Sequence, residues 1–448
     1  MKYALLKLST VSLLSLFTWL TPAHAVPPIE EAKLDNGLRI LLMEAHNVPM
    51  VSMQLVMPSG SRFDPTEKGG TASLLATMLT DHTGKHAREA WAALLDAEAI
   101  QLGAGSDRDG LNLSMTVLRE VLSAGINAFS EALLTPGWNR NRFALIKENA
   151  LSSARKSLEE PGIRASEATS RLLFPGHPYG HRPDGNPESL NKIALADLKT
   201  LYADQIRPEG AVLAVSGDIT MPELLKLLKP ALAGWQGAPK QQLFEVSRAD
   251  DVHGATKQIE MQTSQTLSQL VRLGPARRDA DFFPVFVLNH ILGGGGFGSK
   301  LMEEVREKRG LAYGVYSYFI PLATSGPFII TLQTRADQAE EAEAVVRSVQ
   351  QMLFSGEITR KDLKDAQANL TGSFAQRMDS NRERVGLMSM IGFYDMPLDY
   401  LQVWTQKVES VTLADIKIAA NAYLDPMQWN LLRVGPAPRV KARGEITP

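Results

Sequence analysis

Two periodicities organise this chain. Alternating apolar and polar positions mark Arg39–Met43, Val51–Met57 and Asn112–Val117 as strands in the first half. Gln258–Gln262, Ser268–Leu273 and Phe328–Thr334 follow the same pattern in the second. Long stretches with the helical period come later in each half, among them Arg142–Leu158 and Asp337–Leu353. Strands followed by runs of helix predict an α+β fold, with helices covering one face of a mainly antiparallel sheet in each half.

The pattern is written twice. Ser52-Met53-Gln54-Leu55-Val56 opens one half and Ser268-Gln269-Leu270-Val271 the other, each followed by a turn carrying glycine and charge (Gly60, Arg62, Asp64; Gly274, Arg277, Asp279). Leu195-Ala196-Asp197-Leu198-Lys199 reappears as Leu413-Ala414-Asp415-Ile416-Lys417. Pro208 with Pro426, Leu213 with Leu431 and Gly217 with Gly435 keep the same offset of 218 residues. Several matches at one spacing predict two homologous α/β-sandwich domains. The polar, Gly- and Pro-broken stretch Gly234–Gln242 is the natural join, giving domains over 26–235 and 236–448.

Composition narrows the chemistry. The 448 residues carry 47 Lys and Arg against 49 Asp and Glu, so no basic face argues for nucleic acid. The absence of cysteine excludes disulfides, thiolate metal sites, a cysteine nucleophile and a lipid-modified N-terminal cysteine. Residues 1–25 have the form of a cleaved secretory signal: Lys2 and Lys7, an apolar run too short and too broken to span a bilayer, and the small-x-small sequence Ala23-His24-Ala25. No later stretch is apolar enough to span. The expected location is a bacterial periplasm.

Several blocks carry a family resemblance. Asp35-Asn36-Gly37-Leu38-Arg39-Ile40, Gly60-Ser61-Arg62, Gly70, Phe174-Pro175-Gly176-His177-Pro178-Tyr179-Gly180 and the block from Leu292-Gly293-Gly294-Gly295 to Arg306-Glu307-Lys308-Arg309-Gly310-Leu311-Ala312-Tyr313 resemble the pitrilysin/insulinase family of zinc peptidases, over nearly the whole chain after residue 25. Active members of that family carry H-x-x-E-H on the first long helix. Two histidines at i and i+4 hold one Zn²⁺, and the glutamate between them activates water. Here the histidine positions fall on Ser73 and Thr77, the base on Ala76, and the third ligand, a later glutamate, near Ser153. Hydroxyls that stay protonated are poor zinc ligands. The expectation is therefore no zinc on this chain.

The other histidines offer no convincing substitute. His82 and His86 have the right spacing but Gly84 lies between them. His177 and His181, with Asp184 nearby, sit among Pro178, Gly180 and Pro183, which make a turn. His290 lies on an apolar helical face and reads as a core histidine.

The resemblance implies that a second element is kept. Ser299–Arg309 reads as an amphipathic helix stopped by Gly310, and Ala312–Ile320 as a strand, so that Arg306 and Tyr313 meet across the reversal. In the family an Arg and a Tyr at these positions contact the substrate backbone and the developing oxyanion across a chamber from the zinc. Gly293, Gly294, Gly295, Gly296 and Phe297 read as a flexible segment that lets a peptide backbone come close, or else as a turn between two helices. Nucleotide binding does not fit the run, because Ser299-Lys300 reverses the P-loop order and no strand precedes it.

Three expectations for function follow. The first is the non-catalytic subunit of a periplasmic zinc endopeptidase heterodimer. A homologous H-x-x-E-H subunit would supply the zinc and the base, and extended, unstructured peptides would be the substrates. The second is a peptide-binding or scaffolding homodimer without proteolysis. The third is a stand-alone peptidase with an unfamiliar metal site.

Overall fold

Leu111–Leu118 shows how the sequence makes a sheet. Leu111, Leu113, Met115 and Val117 are buried, while Asn112, Ser114 and Thr116 are only partly covered. That period of two sends alternate side chains to opposite faces. The computed structural model describes residues 27–246 and 248–436; the signal segment 1–25 expected from the sequence lies outside them.

Eleven described strands form two sheets. The first comprises β1 (Glu30–Lys33), β2 (Arg39–Glu44), β3 (Met50–Met57), β4 (Gln101–Ser106), β5 (Leu111–Leu118) and β6 (Val212–Gly217), in the order β1-β2-β6-β3-β5-β4. The second comprises β7 (Thr256–Glu260), β8 (Gln265–Leu273), β9 (Val315–Phe319), β10 (Pro327–Arg335) and β11 (Asn430–Gly435), in the order β7-β11-β8-β10-β9. All neighbours are antiparallel except β2 with β6 and β7 with β11. The fold class expected from the sequence is the one observed.

The repeat is visible in the backbone. Helix Leu195–Gln205 leads into β6 as helix Leu413–Tyr423 leads into β11. Each final strand ends on a glycine, Gly217 at φ 146° and Gly435 at φ 152°. A Cβ on Gly217 would lie 2.2 Å from the Met50 carbonyl oxygen, and one on Gly435 2.9 Å from that of Gln265, so glycine is required twice for one reason.

Burial on both faces of the sheets sets the relation between the halves. Ile40, Leu42, Leu213 and Val215 face the first half's own helices. Leu41, Met43, Val212 and Ala214 face the other way and join a core containing Val385, Met388 and Ile391 of helix Asn381–Phe393, which belongs to the second half. Conversely, Ala168 and Leu173 of helix Pro161–Leu173, from the first half, pack against Val271, Leu273, Ile329 and Leu432 of the second sheet. Each half thus lends one helix to the other's sheet. Strand runs such as Val212–Gly217, buried at every position, follow from this two-sided cover.

The hairpin tip between β4 and β5 is pressed into the seam. Asp109 is fully buried. It accepts hydrogen bonds from the hydroxyls of Tyr179 and, at 3.0 Å, Tyr394, and from the Ala323 amide at 2.8 Å, with Arg62 Nε at 3.9 Å. Tyr394 and Ala323 belong to the second half, so one carboxylate ties the halves together.

Candidate peptide-contact site and degenerate metal helix

Helix Thr71–Asp81 carries the positions where the family holds zinc. Gly70, at φ 102°, opens it, and the buried Asp64 carboxylate accepts the Gly70 and Ala72 amides, both at 2.8 Å. Burial pushes the Asp64 carboxyl up, against hydrogen bonds from His181 and these two amides. The ligand-equivalent side chains do not converge as metal donors. Ser73 Oγ reaches Asp184 at 3.4 Å, Thr77 Oγ1 donates back to the Ser73 carbonyl at 3.1 Å, Ala76 is buried in the core, and Ser153 is exposed on helix Arg140–Ser157. Neither the donor chemistry nor the placement fits zinc. Among the described residues, no three His, Asp or Glu side chains group so as to hold a metal.

The histidine pairs weighed in the sequence take separate partners. His82 Nδ1 pairs with Asp81 at 2.8 Å and its Nε2 accepts the Asn139 amide, whereas His86 pairs with Glu131 at 2.7 Å. His181 Nε2 contacts the Ser61 carbonyl at 3.0 Å and Asp64 at 3.3 Å, and His177 Nδ1 accepts the Tyr179 amide. His290 is half-buried, and burial, with Arg377 nearby, pushes its imidazole down toward the neutral form.

Arg306 and Tyr313 are brought together. The Arg306 guanidinium lies 4.6 Å from the Tyr313 ring centre and 4.8 Å from that of Phe297, a cation held between two aromatic faces. Tyr313 is 84% exposed and Phe297 66%. Two local features differ from the expectation. The helix widens into a π-type turn over Met302–Glu307 before Gly310 stops it at φ 62°. The strand begins only at Val315, so Tyr313 sits in the connecting segment, free of the sheet's register. Widened turns of this kind recur at functional sites.

Of the two readings of the glycine run, a flexible segment or a turn between two helices, the backbone follows the second. Helix Phe282–Asn289 continues through a second π-type turn, His290–Gly294, and the chain stays helical to Gly298. Gly293 is buried, and a Cβ there would lie 2.6 Å from the Ser317 amide nitrogen and 2.9 Å from Leu301 Cδ1. Gly294 and Gly295 are tight against Asn289 and His290, each within about 3 Å. Gly293 lets helix and β9 touch, Gly294 and Gly295 pack on the preceding helical turn, and Phe297 is exposed. The physical reason is that backbone-to-backbone packing leaves no volume for a side chain.

Beyond Tyr313, β9 is one of the two edge strands of the second sheet among the described residues, with Val315 and Ser317 turned inward and Tyr316 and Tyr318 outward. An edge strand presents unpaired amides and carbonyls to another extended chain. What sequence reasoning did not find is the seam around Asp109. Asp107-Arg108-Asp109-Gly110 between two alternating strands signals a hairpin turn, and nothing local says its tip is buried.

The comparisons with known proteins bear on the family and the fold. Residues 39–172 match the family model described as insulinase (peptidase family M16), and residues 192–370 match the one described as peptidase M16 inactive domain. A crystal structure of a peptidase M16 inactive domain from Pseudomonas fluorescens superposes with TM-score 0.86 at 31% identity, covering 91% of this chain and 98% of that one. The chain belongs to the M16 peptidase family. The "non-peptidase homolog YmxG" of Helicobacter pylori is 27% identical over 394 residues, 86% of this chain and 89% of that protein. A protein of the same organism named "zinc protease PqqE" is 20% identical over 437 residues, covering 95% and 96%. With its zinc helix degenerate and a non-peptidase homolog among its relatives, this M16 chain is a non-catalytic member of the family.

Proposed function

We propose that this chain is the non-catalytic subunit of a two-chain zinc endopeptidase of the periplasm, exported through the signal segment at residues 1–25. A homologous partner with an intact H-x-x-E-H helix supplies zinc and general base. This chain supplies Arg306 and Tyr313 to the substrate backbone and to the oxyanion that develops on the scissile carbonyl. The observation that carries the reading is the exposed Phe297–Arg306–Tyr313 cluster beside the free edge of β9, on a chain whose metal helix cannot bind metal. A guanidinium and a phenol both donate without losing a proton, which suits them to a developing negative charge. The open edge favours extended peptides, which can add a strand, over folded proteins. That Helicobacter pylori has both a non-peptidase homolog and a zinc protease similar to this chain supports a division of labour between two chains.

The test is reconstitution. The chain is co-expressed with an exported homologue carrying H-x-x-E-H from the same genome, and cleavage of a quenched fluorescent unstructured peptide is followed. Cleavage needs both chains and drops by ~10²–10³ with Arg306→Ala or Tyr313→Phe in this chain. Wild-type rates from both variants would refute the role in trans.

A further inference from the structure

The seam holds more positive than negative charge. Arg62 is buried, and Arg108 and Arg277 are half-buried, around the hairpin tip. The carboxylates acting on Arg108 and Arg277 among the described residues are Asp107 and Asp109, and Arg62 shares Asp109 at 3.9 Å. Three guanidinium groups against two carboxylates leave one cation in excess. Burial pushes both Arg108 and Arg277 down, the consequence of taking a cation out of water with too little counter-charge.

The hydrogen bonding is incomplete at the same place. Arg108 donates one Nη to Ser170 Oγ at 2.7 Å, and Arg277 donates weakly to the Pro321 carbonyl at 3.4 Å while lying over the rings of Phe282 and Tyr394. Arg108 Nε, Arg277 Nε and Ser389 Oγ are buried without a partner. Buried polar groups left unpaired are uncommon and call for an explanation. Against this cluster lies a cavity of about 330 Å³, bordered by Asp107, Arg108, Asn112, Arg277, Gly386 and Ser389. Its size suits a small ligand or the end of a peptide.

We propose that this cavity is a carboxylate-binding site in which Arg108 and Arg277 hold a single negative charge, brought by the C-terminus of a peptide or by a small free carboxylate. One negative charge balances the excess. A dianion such as phosphate would meet Asp107 and Asp109 as well. The planar guanidinium fork matches a carboxylate in shape and pairs with it through charge-assisted hydrogen bonds. The site lies between the halves of one chain, is lined by neither Arg306 nor Tyr313, and stands whether or not the chain pairs with a zinc subunit.

The test is calorimetric titration of the full chain in a carboxylate-free buffer with acetate, N-acetyl-Ala-Ala as free acid, the same dipeptide as C-terminal amide, and inorganic phosphate. The free acid binds at least tenfold more tightly than its amide and more tightly than phosphate. Acetate binding as well as the free acid identifies a small carboxylate as the ligand, whereas a tenfold preference for the dipeptide identifies a peptide terminus. Two variants locate the site. Arg277→Gln weakens free-acid binding at least tenfold. Gly386 lies in helix Asn381–Phe393, where an added Cβ meets nothing within 4 Å, so Gly386→Leu keeps the fold and fills the cavity mouth, with the same loss. Equal binding of acid and amide, no binding of either, or wild-type binding by both variants overturns the proposal.

Discussion

Asp109→Ala tests whether the two halves are locked by one carboxylate. Asp109 accepts from two phenols and one amide and is the nearest counter-charge to a buried guanidinium. Removing one partner of a buried ion pair costs about 3–5 kcal/mol, because the other charge stays buried. Each orphaned donor costs about 1–3 kcal/mol more where it cannot turn to water. These losses share one site and do not add, so about 4 kcal/mol is the working figure. With an unfolding entropy of about 2.1 cal/mol/K per residue over ~400 residues, the midpoint falls by ~5 °C if the halves melt as one unit. The assay is calorimetry alongside urea unfolding. Asp109→Ala lowers the midpoint and splits the transition in two, since Tyr394 and Ala323 no longer bind the first half through this group. Tyr179→Phe and Tyr394→Phe in double-mutant cycles with Asp109→Asn give coupling energies of about 0.5–3 kcal/mol. A midpoint within 1 °C of wild type, with one transition, would refute the lock.

The glycine run gives a sharp contrast. Gly293→Ala drives a methyl into the Ser317 amide and costs about 1–3 kcal/mol by urea unfolding, while Gly298→Ala, whose Cβ meets nothing within 4 Å, leaves the urea midpoint unchanged. The helix lent by the second half is capped by Ser380 and Glu383. Amide and hydroxyl hydrogen bonds from Ser380 hold the Glu383 carboxyl below its usual range. A depressed carboxyl contributes stability that is present above the unfolded value of 4.5 and lost as pH falls through the folded one. Wild type therefore loses stability on acidification below that value more steeply than Glu383→Gln, read as urea midpoints between pH 6 and 3. Inductively coupled plasma analysis of the purified chain finds less than one zinc per molecule, and Ser73→His with Thr77→His alone does not create stoichiometric binding, because the third ligand position holds Ser153, which is exposed and carries no carboxylate.

Local chemistry made much of this protein legible without coordinates. The period-two strands, the 218-residue repeat, the Gly310 stop and the loss of histidines from the first long helix are statements about neighbours in sequence, and short-range sterics and hydrogen bonding enforce them. The meeting of Arg306 with Tyr313 was also within reach, since a helix, a turn and a strand start separate them by seven positions. Three features were decided only in three dimensions. The glycine run read as a flexible segment or a turn between helices because glycine permits both freedom and close contact, and the approach of Ser317 to Gly293 decides for close contact there. The second face of each sheet is covered by a helix from the other half, a pairing that an apolar strand requires without naming its partner. The Asp109 seam, with its surplus guanidinium and adjoining cavity, gathers residues separated by up to 285 positions. Such a cluster exists only after the chain has closed on itself, because the cost of burying a charge depends on what surrounds it in space, and sequence neighbours do not set that.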